Sequence, residues 1–310
     1  MYTLPLSTLI GKFSVSHRLY ADDTQIYLSF SSCDSDTSIS SLKRCLQAVQ
    51  DWMYHNRLKL NPDKTEFLLI GNKVQRAKFS DMFPVDLMGS CVSPSSSARN
   101  LGIVFDENLS WKKHINTLCR NCYYHIRDLR RIRKHLDLKV STGLANALVS
   151  SKLDYCNSLY FAASGELVGK LQRVQNCLAR VVTGSSKYAS SSTLLNNLHW
   201  LPIQSRIAFK INLITYKVLN RSKPIYLANL LHYRKYDINL KSNDTSTLKP
   251  GPKIRTNYGR NSFASSSPFL WNMLPDTLHT SSTITVFKKQ LKTYYFNNPA
   301  KLHPAHHFPP

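Results

Sequence analysis

Two adjacent carboxylates carry the first chemical signal. Asp22 and Asp23 follow Tyr20 and Ala21. Val15, His17 and Leu19 alternate with polar neighbours before them, and Ile26, Leu28 and Phe30 do so after them. Alternation of period two around a short acidic turn predicts a β-hairpin with both carboxylates at its tip. Such a pair suits a hard divalent cation, because Mg2+ prefers carboxylate and phosphate oxygens in octahedral geometry. Turn chemistry is the other explanation, since an Asp side chain readily bonds nearby backbone.

The elements that must hold this tip are legible on both sides. Ser35, Asp36 and Thr37 offer N-caps for a helix in which Ile39, Leu42, Leu46, Val49 and Met53 recur, with Trp52 beside them. Asn61, Pro62 and Asp63 break the chain before a predicted strand, Thr65 to Ile70, that stops at Gly71. Short strands are expected around Val85 to Val92 and Leu101 to Phe105. The expected class is α+β, with helices on one face of a mainly antiparallel sheet. From Ser110 the pattern turns helical. Trp111, Ile115, Leu118, Cys122, Ile126, Leu129 and Ile132 form one apolar stripe. Helical periodicity continues over Val140–Val149, Leu167–Val182, the segment opened by Pro202, and Thr283–Phe296. Ser242–Ser267 reads as a flexible basic loop, and residues 297–310 as a disordered His/Pro tail.

Charge divides the chain. It has 310 residues and a formal net charge of +23. Residues 1–100 hold 11 basic and 9 acidic side chains, whereas residues 101–310 hold 30 and 9. The shift falls near the Ser-rich stretch Ser93–Ser97. An excess of this size points to a polyanionic partner, nucleic acid above all, with a solvated charged surface as the alternative. The seven cysteines, an odd number without a framework, read as reduced thiols of an intracellular protein. Cys119 and Cys122 form a C-x-x-C inside an apolar helical stripe with no second pair, so helix packing is expected there rather than zinc. No apolar run reaches the roughly 20 residues of a membrane helix, and Met1–Ile10 lacks the charged leader and cleavage site of a signal peptide. No G-x-S-x-G elbow, Cys–His signature, P-loop or dinucleotide fingerprint is present.

Six strings in order carry a resemblance. Tyr20–Tyr27 (YADDTQIY), Asn56–Gly71 (NRLKLNPDKTEFLLIG), Leu101–Ile115 (LGIVFDENLSWKKHI), Leu153–Tyr160 (LDYCNSLY), Leu198–Arg206 (LHWLPIQSR) and Ser267–Pro275 (SPFLWNMLP) resemble the C-terminal portion of reverse transcriptases of LINE-type (non-LTR) retrotransposons, the jockey and chicken-repeat group. The resemblance implies a partial right-hand polymerase palm over residues 1–100, a palm–thumb junction and helical thumb over 101–190, and a basic helical C-terminal extension over 191–296. It implies RNA-directed DNA synthesis by two-metal nucleotidyl transfer, with template RNA, primer DNA or an RNA/DNA hybrid and dNTPs as partners and no membrane. It further implies a nuclear or cytoplasmic ribonucleoprotein setting.

The implied roles map onto individual residues. Asp22 ligates the two Mg2+ ions with Asp23 assisting, and Tyr20 lines the primer end. Lys64 lies near the incoming triphosphate, as proton donor to pyrophosphate or simply as a solvated turn lysine. Trp111 packs the junction where primer backbone passes, or serves as a core residue at the helix start. Lys112, Lys113, Arg120, Arg127, Arg130, Arg131, Arg133 and Lys134 face duplex phosphates without base readout. Lys249, Lys253, Arg255 and Arg260 of the extension hold template RNA or flanking DNA.

The chain departs from the family pattern upstream. No acidic residue precedes Asp22, and the family's first metal-binding Asp, its Gln-Gly loop, its fingers and its endonuclease are not recognisable. The expectation is a truncated portion, inactive alone, binding Mg2+ weakly or not at all and poorly soluble through an exposed sheet edge. The alternatives are a non-catalytic basic RNA/DNA-binding remnant and an inert product of a decayed insertion.

Overall fold

The computed structural model describes residues 3–31, 33–79, 85–87, 90–234, 247–252, 256–260 and 262–300. The chain divides into two compact units, residues 1–100 with 106–108, and residues 101–105 with 109–310. Helices mix with small antiparallel sheets, an α+β arrangement.

The first unit is built on a hairpin. Strands β1 (Ser16–Tyr20) and β2 (Asp23–Tyr27) pair antiparallel, with His17 opposite Ile26 and Tyr20 opposite Asp23. Alternation works as the sequence requires: Val15, Leu19 and Ile26 turn inward, while Arg18, Tyr20, Asp23, Gln25 and Tyr27 stay exposed. The inward side chains join Leu6 and Ile10 of α1 (Thr3–Ile10) and Cys45 and Val49 of α2 (Ser35–His55). Asp34 sits at the N-cap of α2, one residue ahead of the predicted caps, and its Oδ1 accepts bonds from the backbone N–H and hydroxyl of Ser31.

Helix α3 (Lys73–Lys78) starts with a reciprocal capping box between Asn72 and Gln75. Its Arg76 donates to Asn108 Oδ1 at 2.8 Å and pairs with Glu107 at 2.8 Å, which ties residues 106–108 to this unit. The predicted strand Thr65–Ile70 is instead irregular, with one parallel bridge from Phe67 to Pro94. A proline partner has no N–H to donate, so the ladder cannot propagate. Strands β3 (Val85–Leu87) and β4 (Ser90–Val92) make a short hairpin, and β5 (Ser97–Asn100) and β6 (Ile103–Asp106) carry the chain onward.

The second unit is helical. In order it contains α4 (Lys112–Ile132), α5 (Leu138–Ala145), a π-helical turn Asn146–Ser150, α6 (Ser151–Asp154), α7 (Gly165–Thr183), α8 (Ser191–Asn197) and α9 (Ile203–Arg221). These are followed by α10 (Ile225–Ala228), α11 (Asn257–Arg260), α12 (Phe263–Trp271), α13 (Asp276–His279) and α14 (Ile284–Asn297). One continuous core joins Ile115 and Ile126 of α4, Leu171 and Leu178 of α7, Ile207 and Ile211 of α9, and Phe287 and Leu291 of α14. Asp137, Ser164 and Thr283 cap α5, α7 and α14 by accepting backbone N–H bonds. Helix α7 stops at Gly184, whose φ of 66° is the left-handed conformation that glycine adopts without steric cost.

Two sequence expectations change here. The Ser-rich stretch 242–267 ends inside a helix. Ser265, Ser266 and Ser267 are buried on α12, and Ser267 shares a 2.7 Å hydroxyl bond with Thr215 of α9. Small polar side chains at a close helix contact imitate loop composition. The apolar stripe of α4 also ends early, for Ile132 is exposed where the helix tightens into a 3₁₀ turn at Arg133. The tail from residue 301 lies outside the described residues.

His114 on α4 is buried, and its Nδ1 accepts the backbone N–H of Val104 at 3.2 Å. Burial lowers its pKa below the usual imidazole value. The unfolded chain therefore takes up a proton that the folded chain resists, and stability falls as pH drops below about 6.5. His114→Gln keeps an acceptor without titrating. Urea midpoints measured at pH 8 and pH 5.5 should show a smaller acid loss in the variant than in the parent chain.

Candidate functional site: an acidic hairpin tip and a basic helix

The hairpin register leaves two residues in the turn, Ala21 and Asp22, with Tyr20 and Asp23 closing it. Ala21 has a φ of 53°. A two-residue hairpin turn with a positive φ at its first central position normally holds glycine there. An L-residue in this region costs about 1–2 kcal/mol. Asp22 and Asp23 are both exposed, and Tyr20 is 67% exposed beside them. The hairpin thus presents two carboxylates and a phenol on its solvent side.

In kind, this donor set fits a hard cation, because Mg2+ is commonly held by one or two carboxylates with waters and substrate phosphates. In number it stops at two. Among the described residues no group of three or more His, Cys, Asp or Glu could hold a metal ion. Lys64 ends the 3₁₀ turn Pro62–Lys64 and is exposed. Asn61 organises that turn, its Oδ1 accepting from Asp63 N–H at 3.1 Å and its carbonyl from Thr65 Oγ1 at 2.8 Å.

In the second unit, α4 sorts its residues by face. His114, Ile115, Leu118, Cys119, Cys122, Ile126 and Leu129 are buried. Lys112, Lys113, Arg120, Arg127, Arg130 and Arg131 are exposed, as is Lys134 in the 3₁₀ turn that follows. At about 100° per residue, those cations fall in one sector of roughly 100° opposite the core. Lys113, Arg120 and Arg127 recur at intervals of seven, about 10.5 Å of helix rise per step.

Two predicted contact residues play other parts. Trp111 is 4% exposed and packs between Phe105 (5.4 Å between centroids) and Tyr160 (6.0 Å). A buried indole cannot touch nucleic acid, so of its two readings the core residue holds. Arg133 is half-buried, and its guanidinium donates to the carbonyls of Val182 and Leu136 at 2.7 Å each. It caps the end of α7 rather than facing solvent. Arg131 pairs with Asp128 at 3.7 Å, an exposed contact of small energetic weight.

Burial raises the Cys122 thiol to about 12 and also raises Cys119, so this pair consists of protonated core thiols. Lys253 and Arg255 lie outside the described residues. Sequence reasoning passed over Tyr123 and Tyr124, which are 43% and 56% exposed among the cations. Their spacing of three and four residues from Arg120 and Arg127 was the available signal. Among the described residues no helix is long and apolar enough to cross a membrane.

Residues 2–105 match the family of reverse transcriptases (RNA-dependent DNA polymerases). The chain is 24% identical over 192 residues to a probable RNA-directed DNA polymerase from transposon BS of Drosophila melanogaster, covering 61% of this chain and 21% of that protein. It is 24% identical over 172 residues to the RNA-directed DNA polymerase from mobile element jockey of Drosophila funebris, covering 54% and 18%. No solved structure matches. Over those residues the chain resembles reverse transcriptases, and the relatives it matches are RNA-directed DNA polymerases of mobile elements. It spans about a fifth of the length of these curated relatives.

The hairpin turn yields a direct test. Ala21→Gly removes the steric cost at φ 53° and adds some unfolded-state entropy, for a net gain of about 0.5–1 kcal/mol. Denaturant unfolding followed by circular dichroism should show the variant's midpoint above that of the parent chain.

Proposed function

We propose that this chain is the palm-hairpin and thumb portion of a LINE-type RNA-directed DNA polymerase. In this reading residues 1–100 belong to the palm, residues 101–190 to the palm–thumb junction and thumb, and residues 191–296 to a basic extension. Asp22, assisted by Asp23, offers its carboxylate to the divalent ions that such enzymes use to neutralise charge in nucleotidyl transfer. Tyr20, on the same solvent side, lines the primer end. Lys64 approaches the incoming dNTP. The exposed cations of α4 hold the phosphates of a template RNA and primer DNA duplex without reading bases.

The observation that carries the proposal is the tip itself: two exposed carboxylates at a tight turn of a hairpin, within the segment that matches the family. A second reading, a basic RNA/DNA-binding remnant without chemistry, draws support from the carboxylate count of two and from the cations concentrated beyond residue 100.

Both readings predict salt-sensitive binding. If four α4 cations engage phosphates, raising salt from 50 to 200 mM should weaken binding of an RNA/DNA hybrid about a hundredfold. Fluorescence anisotropy measures this, and affinity that is flat across that range rejects both. Primer extension on an RNA template with Mg2+ and dNTPs separates them. Synthesis that Asp22→Ala abolishes establishes the enzyme reading, whereas hybrid binding that persists with no synthesis under any condition favours the remnant.

A further inference from the structure

The solvent face of α4 holds more than charge. Tyr123 lies within the cationic sector and Tyr124 just past its edge, about 100° further round the helix, and they are 43% and 56% exposed. Each has an arginine one helical turn before it and another one turn after it. Arg120 precedes both, Arg127 follows both, and Arg130 lies a further turn on. The Arg127 guanidinium stands 5.3 Å from the centre of the Tyr124 ring. Arg173 of α7 is exposed and close enough to Tyr123 to act on its phenol. Single exposed aromatics are ordinary on protein surfaces. Two adjacent rings bracketed by guanidiniums are a specific arrangement, combining flat apolar platforms with anion donors about 5.4 Å away along the axis.

We propose that this face binds single-stranded nucleic acid, with bases stacked on Tyr123 and Tyr124 and the sugar–phosphate backbone held by Arg120, Arg127 and Arg173. The proposal rests on the reading of α4 as a nucleic-acid face and adds an unpaired strand to the duplex whose phosphates the same cations hold. A duplex hides its base faces inside the stack and offers phosphates and groove edges to a convex helix. An unpaired strand can splay its bases onto exposed rings, and such stacking tolerates any sequence because every base has a π-face. A purely electrostatic face has no use for the tyrosines. A stacking face needs them and gains from the arginine already lying over one ring.

The test uses the full chain and three labelled 16-nucleotide probes: single-stranded RNA, single-stranded DNA and an RNA/DNA hybrid. Tyr123→Ala with Tyr124→Ala should weaken single-strand binding at least about thirtyfold, the loss of two stacked bases, and change hybrid binding less than twofold. Tyr123→Phe with Tyr124→Phe keeps the rings and should retain single-strand affinity. Circular dichroism checks that the variants stay folded, which the exposure of both rings favours. A selective loss with either RNA or DNA supports the proposal. An equal loss on single strands and hybrid, or no loss on either, overturns it. Arg120→Glu with Arg127→Glu should weaken all three probes. If it weakens none, the reading of α4 as a nucleic-acid face fails, whatever the tyrosine variants show.

Discussion

Helix α4 must satisfy two opposed demands on the same 21 residues. It supplies core side chains along one face, and it crowds like charges along the other. Arg127 is one turn from both Arg130 and Arg131, each such like-charge pair costing about 0.2–0.5 kcal/mol. Burying a side chain such as Ile115, Leu118 or Ile126 contributes about 1.5–3 kcal/mol. Burial wins by a wide margin, so the helix forms in spite of its charge. Lys112 and Lys113 add a further cost, because cations in a first helical turn oppose the macrodipole. Folding does not explain cations in those positions, whereas the proposed attraction of a polyanion would.

The hairpin obeys a comparable constraint with period two. Its inner face gives Val15, Leu19 and Ile26 to the core shared with α1 and α2, so those positions are unavailable for chemistry. The outward face presents Arg18, Tyr20, Asp23, Gln25 and Tyr27 among others, with Asp22 in the turn. A slip of one residue in register would bury Tyr20 and Asp23 and expose Leu19. The packing that holds the fold therefore also decides which groups face solvent at the tip, and the positive φ at Ala21 is accepted to keep the turn at two residues.

Most of this was legible from residue spacing. The hairpin, α2, α4, α9 and α14 follow from periodicity, because each puts one apolar face against a core. Three features were not. Thr65–Ile70 has strand composition, yet its partner is Pro94, and pairing depends on a neighbour that local sequence does not name. The serines of α12 look like loop residues until Thr215 of α9 is seen to bond one of them at close range. Arg133 counts as one more cation in the sequence, whereas its guanidinium is committed to backbone carbonyls. Charge shows how many cations there are; only tertiary structure shows which are free to meet a ligand.

The remaining strings of the resemblance show how this unit acquires rigidity. Asp154, of LDYCNSLY, takes a two-pronged ion pair from Arg206, of LHWLPIQSR. Within the same framework Gln175 of α7 donates from a buried position to the Leu201 carbonyl at 2.9 Å, and Gln172 accepts the Ile203 N–H at 2.9 Å. Asn212 of α9 donates to the Tyr295 hydroxyl of α14 at 2.8 Å in the interior. Buried polar groups of this kind add little net stability, but each is costly to leave unpaired, so they penalise alternative packings of α7, α9 and α14. A scaffold held in one arrangement fixes the direction in which α4 turns its cations and its two tyrosines. If this face binds a flexible polyanion as proposed, its grip depends on that placement, because the spacing of its charges and rings is what it offers.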